Sequence, residues 1–269
     1  MTDATAIELL ALAAVGLVAG WINTVAGAGS LLLLPALIFT GLDASEANAT
    51  NRIGILAQTL AAVIGYRRAG MSIARADLVL TGAAMVGGAI GSFVATLLAP
   101  SEMQIAIVIA MGVMLVLSLV PSRNKKQPEP SAGDAPSQAS AEPPATKLPA
   151  PTPTMIAAFV AIGIYGGFLQ AGVGILVLLY LSLAHGVGLV ASNVVKSTVT
   201  LALTIVAIAV FASRGEGIDV VRGGVLAITS ALGGLAGARS TVALGDRFVR
   251  ATVTLAVLVS MIKLVADML

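Results

Sequence analysis

Asn23-Thr24-Val25-Ala26-Gly27-Ala28-Gly29-Ser30 decides how this chain is read. Its glycine spacing returns 145 residues later in Phe168-Leu169-Gln170-Ala171-Gly172-Val173-Gly174-Ile175. At that one offset Gly27 pairs with Gly172, Gly29 with Gly174, Gly41 with Gly186, Asn48 with Asn193 and Gly70 with Gly215. After a one-residue slip, Gly87, Gly88 and Gly91 match Gly233, Gly234 and Gly237. In an apolar chain this predicts two copies of one membrane unit, each with a polar, flexible break where unbroken helix would otherwise run. Duplicated units interrupted at matching positions are the sequence pattern of a transporter's substrate site.

Composition sets the class. Of the 269 residues 58% are hydrophobic and only 10% charged, whereas a soluble domain carries about a quarter charged residues. Apolar runs near the ~20 residues that cross a bilayer recur along most of the chain. They are continuous rather than alternating, which excludes a β-barrel. The expected fold is therefore an all-α polytopic membrane protein. The sequence has no cysteine and one histidine, His185. Thiol chemistry, thiolate metal sites and multi-histidine sites are thereby excluded, and no cofactor or metal is expected. Walker, HExxH and GxSxG motifs are absent, so no enzymatic activity is expected either. The start, Met1 to Glu8, carries Asp3 and Glu8 without a positive n-region, which speaks against a cleaved signal peptide.

The apolar segments read as 5–25, 28–41, 46–66, 75–99 and 102–120, then 154–170, 173–184, 190–212, 219–243 and 248–266. Each half thus holds four to five hydrophobic segments. The second segment of each is too short for a comfortable span, which predicts a broken or re-entrant element per repeat. Three regions follow: an N-terminal membrane repeat over 1–120, a linker over 121–153 and a C-terminal membrane repeat over 154–269. The linker holds nine of the chain's 11 prolines and reads as disordered. Lys and Arg cluster at Arg67, Arg68 and Arg75 and in the linker at Arg123, Lys125, Lys126 and Lys147, which places the linker in the cytoplasm. Five true spans per half would make the repeats inverted, with both termini outside and Arg247 and Arg250 in the cytoplasm. Four spans plus a re-entrant segment would make them parallel, with both termini inside.

Four sets of residues carry candidate chemistry. The breaks at Gly27, Ala28, Gly29 and Ser30 and at Gly172 and Gly174 precede apolar helices, whose free N–H groups and positive dipole ends suit an anion. Most other glycines, Gly82, Gly112 and Gly224 among them, are expected to serve close helix packing. Next, Asn48 is followed by Arg52 and Asn193 by Lys196, each returning to the amide's helix face. A buried cation needs a counter-charge; Glu46 and Asp43 are near Arg52, Lys196 has no acid nearby, and a substrate anion would serve both. The alternative is that both cations snorkel to the headgroups. Third, Asn23, Gln58 and Gln170 join the site, while Thr59, Ser197, Thr198, Thr200 and Thr204 are expected mostly to bond back to their own helices. Last, the acids Asp77, Glu102, Asp219 and Asp246 fall at segment ends, leaving His185 as the one neutral-range proton carrier, in a loop-like position.

These residues also resemble a known family. The break with Gly27, Gly29 and Pro35, the Ala47-Asn48-Ala49-Thr50-Asn51 turn, Tyr66-Arg67-Arg68-Ala69-Gly70 and Gly87-Gly88-Ala89-Ile90-Gly91 are similar to the sulfite exporter TauE/SafE family. So are Tyr165-Gly166-Gly167, Ala171-Gly172-Val173-Gly174, Ser192-Asn193-Val194-Val195-Lys196 and Gly233-Gly234. The resemblance covers about 1–120 and 154–266. It implies a permease of duplicated four-span units that exports sulfur-containing anions such as sulfite or organosulfonates; the Pro-rich insert departs from the compact form. The expected function is a secondary transporter in the inner membrane. Rival readings are an anion importer, a channel or a non-transport membrane scaffold. Expected partners are a small anionic substrate and the lipid bilayer, with a homodimer as the protein assembly considered and no nucleic acid.

Overall fold

The computed structural model describes residues 5–71, 75–118, 148 and 150–268. Helices account for nearly all of them: α1 Ala6–Ala26, α2 Ser30–Phe39, α3 Ala44–Arg68, α4 Arg75–Ala95, α5 Pro100–Ser118, α6 Pro153–Phe168, α7 Val173–Leu179, α8 Leu189–Ser213 and α9 Val220–Met268. A π-helical turn, Tyr180–Ala184, continues α7. Each expected segment appears as helix, and the last two run together as α9, interrupted at Gly245 (φ 67°, ψ −167°). The second element of each half is short as expected, 10 residues in α2 and seven in α7. The predicted linker lies outside the described residues except at its end, where Thr152 caps α6 and Pro153 opens it.

By length and composition four described helices can cross a membrane: α1, Asp77–Ala95 of α4, α8, and Val220–Val249 of α9. Helix α3 matches α8 at 25 residues but is less apolar, since it carries Glu46, Arg52, Arg67 and Arg68. Three glycine pairs at the 145-residue offset share left-handed backbone: Gly27 and Gly172 (φ 79° and 74°), Gly41 and Gly186 (92° and 65°), Gly70 and Gly215 (79° and 74°). Glycine enters that region without the Cβ penalty, so both stretches turn at matching points.

The packing interlocks residues before the linker with residues after it. Helix α4 lies against α6 and α8, while α9 lies against α1 and α3. Small residues allow the close crossings. A Cβ at Gly91 would stand 1.8 Å from the Ile164 carbonyl oxygen, and one at Gly233 2.1 Å from that of Leu17. The glycines expected to serve packing are different ones: Gly82, Gly112 and Gly224 have nothing within 4 Å of an added Cβ. They fall on helix faces that meet no neighbour, which glycine content alone does not reveal.

The apolar clusters fix which ends meet. Leu12 of α1, Leu37 near the end of α2, Ala47 of α3 and Leu226 of α9 pack together. At the opposite end Leu80 of α4, Phe159 of α6 and Leu181 of the π-turn form another cluster. Ala62 and Tyr66, near the end of α3, meet Val194 of early α8 there too. Asp246, just past the Gly245 break, accepts hydrogen bonds from the N–H groups of Leu189 (3.0 Å) and Val190 (2.9 Å) and so caps α8 from outside.

Candidate substrate site

The two glycine breaks meet in the interior. A Cβ at Gly27 would stand 2.4 Å from the carbonyl carbon of Gly174, and one at Gly174 2.5 Å from Gly27 Cα. Ser30 Oγ donates to the Gln170 carbonyl (3.2 Å) and accepts from the Gly172 N–H (3.1 Å), tying one break to the other. Gln170 sits at φ 63°, a conformation uncommon for a residue with a Cβ and one found where surroundings over-determine the backbone. Both amide ends of its side chain are held: Oε1 accepts from Arg52 (3.0 Å) and Nε2 donates to Thr204 Oγ1.

Three of the N–H groups expected to be free at the breaks are engaged, the first being that of Gly27, which donates to the Asn23 carbonyl (2.9 Å). The Gly29 N–H donates to Asn23 Oδ1 (3.2 Å), and that of Gly172 is taken by Ser30. The breaks thus spend these donors on holding their own shape.

The two cations also bind differently from expectation. Neither snorkels: Arg52 is 0% and Lys196 4% exposed. Among the described residues neither is paired with an acid; Asp43 instead accepts from the Glu46 N–H and caps α3. Each cation crosses to the first helix of the other half. Arg52 donates to the carbonyls of Gly166 (3.3 Å), Gly167 (2.5 Å) and Phe168 (3.2 Å), the last turn of α6. Its guanidinium also stacks 4.5 Å above the Phe211 ring. Lys196 Nζ donates to the carbonyls of Asn23 (2.7 Å) and Thr24 (2.6 Å), near the end of α1, and to Asn193 Oδ1. The companion amides do the same: Asn48 Nδ2 reaches the Phe168 carbonyl (2.9 Å) and Asn193 Nδ2 that of Val25 (3.0 Å). A helix C-terminus presents unpaired carbonyls and partial negative charge, so a cation is stabilising there. These carbonyls supply partial negative charge where the sequence offered Asp43 or Glu46 for Arg52 and a substrate anion for both cations.

A cavity lies between the breaks, lined by Asn23, Ile55, Gln58, Thr59, Gln170, Val173, Gly174, Lys196, Ser197 and Thr200. It encloses about 290 Å³ of space between atoms, mouth included, of which about 10 Å³ can take a water centre. That is room for roughly one water. Of the predicted site residues, Asn23, Gln58, Gln170, Gly174 and Lys196 line it. Gly27, Gly29, Ser30 and Gly172 build the breaks behind it, and Asn48, Arg52 and Asn193 tie the helix ends. Ala28 lies in the first break without lining the cavity. Asn23 and Gln58 brace each other, Asn23 Nδ2 donating to Gln58 Oε1 (3.0 Å) and Gln58 Nε2 to Thr24 Oγ1 (3.2 Å).

Sequence reasoning missed Ile55 and Val173, and it set Thr59, Ser197 and Thr200 apart as structural. Thr59 and Ser197 do bond back to carbonyls one turn earlier, yet their helix face still forms the wall. The available signal was register: 55, 58 and 59 on α3, and 196, 197 and 200 on α8, each follow the spacing of one helical face.

An ion pair lies outside this cavity, Arg222 to Asp219 at 2.5 Å. Arg222 also donates to the Thr40 carbonyl (2.6 Å) at the end of α2. Burial opposes ionisation of Asp219, just outside the α9 span, but hydrogen bonds from the Arg222 N–H and guanidinium outweigh it, so its carboxyl titrates below the usual range. His185 stands at the end of the π-turn with its ring 5.0 Å from that of Tyr180, and it is not a cavity residue. No His, Asp and Glu cluster suited to a metal occurs among the described residues.

A polytopic helical bundle whose two broken elements enclose a polar, cation-lined cavity has the build of a membrane transporter. The chain belongs to the sulfite exporter TauE/SafE family, whose profile matches residues 12–264. No curated protein and no solved structure matches it.

Proposed function

We propose that this protein is a secondary transporter that exports small sulfur-containing anions, such as sulfite or organosulfonates, across the inner membrane. The observation that carries the proposal is the Lys196 ammonium on the cavity wall, whose hydrogen bonds among the described residues all go to neutral oxygens. Its charge is offset by helix-end dipoles and by no carboxylate, so the cavity keeps a positive potential that an entering anion completes. Family membership supports the sulfur-anion class.

The two halves act as inverted repeats. Helices α1, α3 and α9 begin at one end of the molecule and α4, α6 and α8 at the other, which supports this reading. With the linker cytoplasmic, Arg67, Arg68, Arg75, Arg247 and Arg250 share its side, in agreement with the positive-inside bias. Both termini then face outward. The near-closed cavity represents an occluded stage, opened to either side when the crossing breaks shift. An interior-negative potential drives anion exit with about 2.3 kcal/mol per charge per 100 mV, so export needs no coupling ion.

The test is purified protein scored by thermal stabilisation against sulfite, sulfoacetate, taurine, sulfate and thiosulfate, with flux in liposomes alongside. Saturable flux with counterflow is expected. Unsaturable flux without counterflow would establish a channel, and absence of any anion response would remove the transport reading.

A further inference from the structure

Among the described residues six asparagine and glutamine side chains are buried: Asn23, Asn48, Asn51, Gln58, Gln170 and Asn193. Five are engaged in the braces and helix ties described above. Asn51 is 0% exposed, yet neither its Nδ2 nor its Oδ1 has a hydrogen-bond partner. A buried amide with both ends unmet is costly and calls for a reason. Position supplies one. Asn51 precedes Ile55 by four residues and Gln58 by seven, so it shares the α3 face that lines the cavity, one turn toward the start of the helix. At the 145-residue offset its counterpart is Lys196, the cation on the cavity wall. In α8 that position reaches the end of α1; in α3 Arg52 has taken over the equivalent tie to α6 and leaves the Asn51 amide unspent.

We infer that Asn51 is a substrate-contacting residue, with its Nδ2–H donating to an oxygen of a small oxyanion and its Oδ1 accepting from an O–H or N–H that the same anion carries. A protonated oxyanion or an amino- or hydroxy-sulfonate meets both needs; a bare oxyanion meets only one. The inference rests on the anion-transport reading and adds a residue and a ligand requirement to it.

The test uses the full chain, with sulfite and the sulfonate pair ethanesulfonate and 2-hydroxyethanesulfonate as probes. Asn51→Leu is expected to fold with a Tm at or above wild type, since it removes an amide without a partner, and to weaken binding of the responding anions at least tenfold. Wild type is expected to prefer the hydroxyl-bearing sulfonate over ethanesulfonate several-fold, and the variant to lose that preference. A structural amide would behave in the opposite way, with a lowered Tm and unchanged affinity, and that result overturns the inference. If Asn51→Leu does not fold, Asn51→Asp decides: it keeps the volume, and unchanged anion affinity overturns the inference while loss of binding supports it. A wild type that responds to no anion removes the transport reading and the inference with it. A wild type that responds equally to the sulfonate pair removes the ligand requirement alone.

Discussion

Arg52 in α3 and Lys196 in α8 perform the same tie from opposite halves, yet they do not occupy matching positions. At the 145-residue offset Arg52 falls on Ser197 and Lys196 on Asn51. In α8 the cation faces the cavity and ties α1 from there. In α3 the cation is not among the lining residues; its guanidinium reaches the end of α6 and is sealed there against Phe211. Capping the opposite helix is therefore common to both halves, while presenting charge to the cavity belongs to one.

The sharpest break of that comparison is a pair of truncations read on two axes. Arg52→Ala orphans the Gly166 and Gly167 carbonyls and Gln170 Oε1, and leaves the Phe168 carbonyl to Asn48 alone. Buried acceptors left unmet cost about 1–3 kcal/mol each, so the variant is expected to lose at least ~3 kcal/mol of stability and most of its folded yield. A wild-type thermal transition for Arg52→Ala would contradict the capping role. Lys196→Met keeps chain length, loses fewer ties and is expected to fold with a smaller drop, about 1–2 kcal/mol. Its anion response should nonetheless vanish. Retained sulfite stabilisation in Lys196→Met would show that the cavity charge is not what holds the anion.

What could be read in advance, and what could not, divides along physical lines. Segment number, the short second elements and the matched glycine turns are properties of local composition and spacing, and each was visible in the residues themselves. Five of the ten cavity residues were named, four because a polar side chain in an apolar segment stands out and Gly174 because its glycine spacing repeats. The partners of Arg52 and Lys196 were not legible. Backbone carbonyls have no residue identity, and those of Gly166 to Phe168 lie more than a hundred positions from Arg52. Apolar liners such as Ile55 and Val173 look like any core residue until the opposite wall is known. The glycines that matter for packing are likewise told from the rest only by which face meets a neighbour.

Smaller effects sharpen the comparison at the breaks. Gly27 and Gly186 share left-handed backbone, φ 79° and 65°, but a Cβ on Gly27 would press on the Gly174 backbone while one on Gly186 meets nothing within 4 Å. Gly186→Ala is expected to cost about 1 kcal/mol from backbone strain alone. Gly27→Ala adds the collision and should cost about 2–3 kcal/mol. It should also slow flux more than it weakens binding, because the crossing must shift for either side to open. Equal thermal shifts for the two variants would mean that the breaks do not bear on each other.

The smallest expected effect tests the other asymmetry between the halves. Helix α3 is capped by its own Asp43, whereas α8 begins at Gly188, which has no side chain to cap with, and borrows Asp246 from the Gly245 break in α9. Asp43→Ala and Asp246→Ala each remove one cap, worth about 1 kcal/mol. The difference lies in what else moves. Asp43 caps its own first turn, but Asp246 joins the start of the lysine-bearing helix to the kink in α9. Asp246→Ala is therefore expected to match Asp43→Ala in stability while changing the anion response that depends on Lys196. Identical transport in both variants would reduce Asp246 to an ordinary helix cap.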